Sequence, residues 1–190
     1  MQTTDSTRQR VTPLRPPYDP ELALTLKRMM PPGQDPLKLF RTIAHNHNIL
    51  DKLRSTGTYL LNFGKVPALD RELVIHRTCA RCGCEYEWGV HAAVFGPVVG
   101  LTDAQLAATV HGSSEDPVWS EREALLIEMT DELHDTATIS DPVWDALAQH
   151  YSEEQLVELL AIAGQYHAVS YFANALGVGL EDGARRFPEA

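Results

Sequence analysis

The stretch RCGCEYEWGVH, Arg81 to His91, concentrates residue types that do chemistry. Two cysteines flank Gly83, Glu87 follows Cys84 by three positions, and His91 follows Glu87 by four. On a helix from about Cys84 to Phe95, Cys84, Glu87 and His91 fall at i, i+3 and i+7 and share one face. Cys84 would sit in the first turn. Unpaired N–H groups and the positive end of the helix dipole favour a thiolate there, while the Glu87 carboxylate opposes it. A carboxylate four residues before an imidazole can hydrogen-bond to it, fix its tautomer and raise its basicity, which makes a usable general acid or base. Glu72 lies on the preceding helix and reaches the same place if the chain folds back at Arg81–Gly83.

Cys82, Cys84, Glu87 and His91 are also all zinc-ligand types. They crowd one short segment, and no second cluster completes a closed set, so no metal centre is expected. His45 and His47, two apart, cannot share a helix face, and His111, His134 and His150 fall near helix ends, where a cation is welcome at the surface. His167 and Tyr166 lie inside a long apolar helix, where a polar group needs a partner. Asn174 follows His167 by seven on the same face. His167 is therefore a candidate for lining a pocket, as are Tyr86 and Trp88, with packing as the alternative role for all three.

The elements that must position these groups read as helix upon helix. Glu21 to Met30 ends at Pro31–Pro32–Gly33, and Leu37, Leu39, Phe40, Ile43 and Ala44 recur at helical spacing. A helix from about Ile49 to Leu61 stops near Gly64 and Pro67. Asp70 is placed to N-cap a helix running to about Cys82. Thr102 with Gln105, Ser120 with Glu123 and Ser152 with Gln155 are capping-box pairs that each open a helix. Asp141–Pro142 supplies a cap and a first-turn proline for another. The last helix, Glu153 to about Leu176, is apolar on more than one face and is expected at the centre of the bundle. No stretch shows sustained β alternation. The fold class is all-α, a bundle of antiparallel helices spanning residues 21–190. Residues 1–20, with prolines at 13, 16, 17 and 20, form an extended arm expected to lie on a neighbour.

Composition narrows the partners. The 190 residues carry a formal net charge of −10, which repels phosphate backbones and disfavours nucleic acid. No basic amphipathic stretch suits an anionic membrane surface, and no run of about 18 apolar residues spans a bilayer. The first twenty residues lack the apolar segment of a secretory signal. Three cysteines without such a signal read as cytoplasmic thiols.

The segment RELVIHRTCARCGCEYEWGVHAAVFGPVVGLTDAQL resembles the signature region of the carboxymuconolactone decarboxylase family, which includes the alkylhydroperoxidase D-like (AhpD-like) proteins. That pattern has a glutamate in R-E-L, a C-x-x-C pair, a histidine four past the second cysteine, and a G-L-S/T turn into the next helix. Here Glu72 stands 12 residues before Cys84 and His91 seven after it, and both spacings match the hydroperoxidase form. The likeness covers roughly residues 60–106, and GVGLED after Leu176 adds to it. The resemblance implies an AhpD-like helical bundle that assembles into a homo-oligomer, a trimer or hexamer, with the site near a subunit boundary. It departs at Glu87, which stands where the second cysteine belongs and gives C-x-x-E. A carboxylate cannot resolve a sulfenic acid into a disulfide. What remains is similar to family members that use side chains alone to move protons.

The sequence therefore favours a cofactor-independent, carboxymuconolactone decarboxylase-like lyase. Glu72, Glu87 and His91 would be its acid/base groups, Cys84 a further catalytic candidate, and a small carbonyl or carboxylate compound of the lactone type its substrate. One alternative is a thiol peroxidase or disulfide reductase working through Cys84 with Cys82 or Cys79. Another is a non-catalytic, ligand-binding helical assembly.

Overall fold

The computed structural model describes residues 8–189; residues 1–7, the start of the expected arm, lie outside them. Among the described residues the chain forms ten helices and no strand. Four short or medium helices lead in: α1 (Pro20–Arg28), α2 (Lys38–Ile43), α3 (His47–Asn62) and α4 (Ala68–Arg81). The motif helix α5 (Glu85–Val94) is followed by α6 (Gly96–Val99), α7 (Asp103–His111), α8 (Glu121–Thr136), α9 (Asp141–Leu147) and α10 (Glu153–Leu176). All three capping boxes form. At α7, α8 and α10 the cap hydroxyl accepts from the N3 amide and the N3 side chain accepts from the cap's own N–H.

Two caps differ from the sequence expectation. Pro67, not Asp70, precedes the first turn of α4, because its fixed φ sets up the helix without a side-chain cap. Asp70 falls inside the first turn and is fully buried, accepting from the Tyr151 hydroxyl at 2.9 Å and pairing with Arg122 at 3.0 Å. At α9 the N-cap is Ser140, with Asp141 and Pro142 in the first turn. The chain also adds a turn of helix, α6, where Gly96–Pro97 was expected only to stop one.

The axis of the bundle is α4, with α10 laid along it. Helix α4 packs against α5, α7, α8 and α10, and every residue from Glu72 to Cys79 is buried. Its one buried guanidinium knits three elements together. Arg77 grips Asp131 of α8 through two bonds of 2.6 Å and donates to the carbonyls of Thr109 and Gly112 at the end of α7. Such a planar fork satisfies all its partners at once, which is what a buried charge requires. Helix α10 keeps an exposed side that includes Val157 and Tyr171, so it is not enclosed on every face.

The entry to α4 is fixed by α10. Glu158 accepts the amides of Lys65 and Val66 at 2.8 and 3.0 Å, and a side chain on Gly64 would collide with its carboxylate at 2.2 Å. At the N-terminal side, residues 8–19 rest on their own chain: the amides of Arg10 and Val11 donate to the carbonyl of Leu176, and that of Leu14 to Arg41. At the other end, the segment after α10 crosses the motif helix. The Phe187 amide donates to Glu85, the Phe187 ring meets Trp88 edge to face, and the Arg185 carbonyl lies 2.1 Å from where a Cβ on Gly89 would stand. Gly89 is thus required by a backbone that passes directly over the helix. No helix among the described residues is long and apolar enough to cross a membrane.

Replacing Glu158 with alanine leaves two amides at the start of α4 without their acceptor. Urea denaturation is expected to show a loss of about 2–3 kcal/mol, the cost of orphaning buried donors that had bonded a carboxylate; a change within experimental error would mean the loop finds water instead.

Candidate active site

The functional side chains come together where α4 and α5 fold back on each other. Cys82 ends α4, Gly83 takes φ +61°, and Cys84 caps α5, so the reversal occupies three residues. The left-handed conformation at Gly83 is one that side-chain-bearing residues rarely adopt. The reversal sets Glu72, 19 residues earlier in the chain, against His91.

His91 Nδ1 lies 2.7 Å from Glu72 Oε2, and His91 Nε2 lies 3.5 Å from Glu87 Oε1. Glu72 is 0% exposed and His91 3%. The primary partner of the imidazole is therefore the carboxylate from the other helix. The i, i+4 neighbour is second, reversing the order in which the sequence ranked them. The second Glu72 oxygen accepts from Arg71 Nε at 3.2 Å, so both oxygens are engaged. Burial by itself would drive His91 toward the neutral form. The Glu72 charge and hydrogen bond, with Glu87 adding to them, overrule it and raise the imidazole from its ordinary 6.5 to about 9. Burial pushes Glu72 up, but the facing imidazolium and its hydrogen bond, with Arg71, hold it below the ordinary carboxylate value. Near neutral pH Glu72 is thus a carboxylate facing an imidazolium.

Aromatic rings enclose it. Phe95 stacks on His91 with centroids 4.7 Å apart, and Tyr166 meets it edge-on at 5.0 Å. It is Tyr166, rather than His167, that α10 turns toward the site. The ring of His167 faces His134 instead, 3.0 Å between Nε2 and Nδ1. The other two expected substrate contacts have their polar atoms committed to the fold. The Tyr86 hydroxyl donates to Glu181 at 2.5 Å and accepts the Leu39 amide, and Trp88 Nε1 donates to Thr109 Oγ1 at 3.0 Å.

A residue the sequence did not flag is His76, one turn past Glu72. Its Nδ1 donates to the Glu72 carbonyl at 2.7 Å, and its ring stands perpendicular to Trp88 and to His91. Its Nε2 is buried without a hydrogen-bond partner. Burial first, then the neighbouring His91 charge, lower it to about 4, so it stays neutral beside the imidazolium. Its i, i+4 spacing from Glu72 was the available signal; its burial depends on the packing of α5 and could not be read.

Cys84 is buried and free, as is Cys79, while Cys82 is half-buried and free. The helix start does not produce a thiolate. Burial raises the Cys84 thiol to about 11, with the Glu87 amide opposing and the Glu87 charge assisting. The two expectations at that position, dipole activation and carboxylate opposition, resolve in favour of a protonated thiol. Two surface clefts of about 400 and 340 Å³ lie elsewhere, and neither is lined by Glu72, Glu87 or His91.

Two histidines with opposite shifts give a signed pH dependence. His91 is raised, so its stabilisation is complete below pH 6.5 and lost as pH climbs through about 9. His76 is lowered, so its contribution is present above pH 6.5 and lost as pH falls through about 4. Urea midpoints against pH are expected to peak between these limbs. By NMR titration, Glu72→Gln should lower the His91 midpoint more than Glu87→Gln does; equal effects would contradict the 2.7 and 3.5 Å geometry.

No protein-family profile matches the chain, and no curated protein matches it in sequence. Solved structures do match in shape. One is an alkylhydroperoxidase AhpD core, an uncharacterized peroxidase-related protein from Ralstonia eutropha JMP134. It has 14% identity and a TM-score of 0.77, covering 90% of this chain and 93% of that one. A second is an uncharacterized peroxidase-related protein from Silicibacter sp. TM1040, with 16% identity, 95% and 96% coverage, and a TM-score of 0.75. A third is a cysteine-to-alanine variant of the debrominase Bmp8 in complex with 2,3,4-tribromopyrrole, with 18% identity, 93% and 94% coverage, and a TM-score of 0.76. At these identities the likeness speaks to architecture, and on it, as the spacing of Glu72, Cys84 and His91 led one to expect, this chain has the all-helical AhpD-like fold.

Proposed function

We propose that the chain is a cofactor-independent acid/base enzyme of the carboxymuconolactone decarboxylase type, acting on a small carboxylate next to a carbonyl or lactone. The observation that carries this reading is the Glu72–His91–Glu87 array, with its imidazole gripped at Nδ1 and looser at Nε2. Glu72 fixes the ring and holds its positive charge, so Nε2 is the atom left to give or take a proton. In such a reaction the bond to the leaving carboxylate breaks, its electron pair enters the adjoining carbonyl system, and carbon dioxide departs. His91 then delivers its Nε2 proton to the carbon, and solvent restores it. Glu87 is the more exposed of the two carboxylates and would be the first to meet a substrate. The apolar walls of Phe95 and Tyr166 strengthen each charge interaction by excluding water.

Thiol chemistry is the second reading, favoured by the peroxidase-related names among the structural neighbours. It fits this site less well. Glu87 stands where a resolving cysteine would be needed, and Cys84 is held protonated by burial. The three free cysteines suit a reducing compartment such as the cytoplasm.

Assembly into a closed homo-oligomer, a trimer or hexamer, belongs to the same proposal. Val94 and Val98, just past His91, are 55% and 82% exposed, and Phe63, Val157 and Tyr171 are also open. Apolar groups set out along helices in this way favour a covering subunit. Light scattering at micromolar concentration is expected to give a multiple of the 21.1 kDa chain mass; a monomer mass would remove the assembly from the proposal.

Carbon dioxide release from a panel of small β-keto carboxylates and carboxylated lactones tests the chemistry. His91→Gln is expected to lower turnover by about 100-fold or more, the usual worth of a positioned acid or base. Cys84→Ser should retain most of it, and the rate should decline as pH rises through about 9, where His91 loses its proton. Peroxide reduction with a dithiol should stay at background; brisk peroxide turnover that vanishes in Cys84→Ser would replace this reading with the thiol one.

A further inference from the structure

Away from the carboxylate–imidazole array, three helices bring Cys82, His134 and His167 to one point. Their ligand-type atoms all lie within 4.8 Å of one another, and each residue is half-buried, so the point is reachable from solvent. Cys82 caps the C-terminus of α4, His134 lies in the last turn of α8, and His167 sits mid-way along α10. The expectation from sequence grouped Cys82 with Cys84, Glu87 and His91. The fold instead partners it with two histidines 52 and 85 positions further on (134 − 82 and 167 − 82).

The hydrogen bonding around these residues is that of a preorganised donor set. His167 Nδ1 lies 3.2 Å from the carbonyl of Ala163, one turn back. A carbonyl only accepts, so Nδ1 carries the ring proton and the lone pair of Nε2 is aimed at His134 and Cys82. A backbone carbonyl on the remote nitrogen is the usual partner that fixes a metal-binding histidine. Cys82 is anchored at both backbone groups, its amide to the Thr78 carbonyl at 3.0 Å and its carbonyl to Asn174 Nδ2 at 2.9 Å. The two rings meet at 3.0 Å, so in the metal-free chain a single proton on His134 Nδ1 bridges them. The charged groups nearest the rings are Arg81, Asp131 and Asp135; Arg81 and Arg77 pair with both aspartates, which leaves no surplus positive charge against an incoming cation.

We propose that Cys82, His134 and His167 form a binding site for a divalent transition metal of the zinc class, with three protein ligands and a fourth position open to water. A thiolate with two imidazoles selects zinc-like ions over magnesium or calcium, which prefer oxygen. Tetrahedral zinc holds its donors about 3.3–3.6 Å apart, given Zn–N of about 2.0–2.1 Å and Zn–S of about 2.3 Å. The observed set needs only side-chain adjustment to reach that spacing. The binding step balances with one proton. The Cys82 thiol gives up its hydrogen as the Zn–S bond forms, and His134 changes tautomer through solvent, losing the proton at Nδ1 and gaining one at Nε2 with no net change. The bound ion would tie the ends of α4 and α8 to the middle of α10. It would also withdraw Cys82 from any disulfide with Cys84 or Cys79. None of these three ligands belongs to the Glu72–His91–Glu87 array, so the site stands or falls independently of the proposed reaction.

Cobalt(II) titration of the reduced full-length protein is the test. One equivalent is expected to produce the near-ultraviolet thiolate-to-cobalt charge-transfer band and the intense visible bands of a tetrahedral ion, with release of about one proton per ion from the thiol. Zinc should bleach both. Cys82→Ser should abolish the charge-transfer band, His134→Ala and His167→Ala should each weaken binding at least tenfold, and Cys84→Ser should leave the band in place. On the unaltered protein, zinc should protect Cys82 from alkylation, read by peptide mass spectrometry, so the test does not depend on a variant folding. No charge-transfer band at millimolar cobalt, a band that survives Cys82→Ser or disappears in Cys84→Ser, or alkylation of Cys82 indifferent to zinc would each overturn the proposal.

Discussion

The contact on which the site depends is the one between Glu72 and His91. A carboxylate with no solvent exposure and an imidazole with almost none face each other across two helices. Neither charge would survive alone in that position, because the desolvation of a single buried ion costs several kcal/mol after relaxation. Together, with Arg71 on the far oxygen and Glu87 on the far nitrogen, they satisfy one another. The arrangement constrains the rest of the bundle. Helix α4 must be buried from Glu72 to Cys79 to keep water from the pair, the reversal at Gly83 must be tight enough to bring α5 back, and His76 must remain neutral where a second positive charge would compete for Glu72.

What the sequence made legible was local. Capping boxes at Thr102, Ser120 and Ser152 announced three helix starts, because an N-cap and its N3 partner are three residues apart and need nothing else. The i, i+4 relation of Glu87 and His91 was legible for the same reason, and so it was ranked first. The partner that dominates, Glu72, lies 19 residues away, and only the crossing of α4 and α5 decides which of its oxygens meets which nitrogen. Asp70 shows the converse. By composition it is a good cap, yet Tyr151 and Arg122, far along the chain, draw it into the interior and leave capping to none. His134 was assigned to a helix end, which was correct. That this end abuts α10 at His167 is a property of packing that no spacing rule contains.

The cysteines divide along the same line. Helix-start chemistry predicts an acidic thiol at Cys84, and the residue does cap α5. Burial outweighs the dipole there, since removing a thiolate from water costs more than a single helix terminus returns. The same shielding that makes a thiolate expensive makes the buried imidazolium depend on its two carboxylates. A single apolar enclosure thus silences one of the motif's nucleophiles and tunes its acid.

Gly89 gives the fold a design rule for anyone altering this molecule. The segment after α10 rests its backbone on that glycine, hooks Phe187 over Trp88 and bonds Glu85, so the lid over the motif helix is drawn from a part of the chain nearly a hundred residues later. A peptide extension or cargo attached near Phe187 would pull on the roof of the site itself. An internal loop such as the one between α8 and α9 touches none of these contacts and offers the quieter point of attachment.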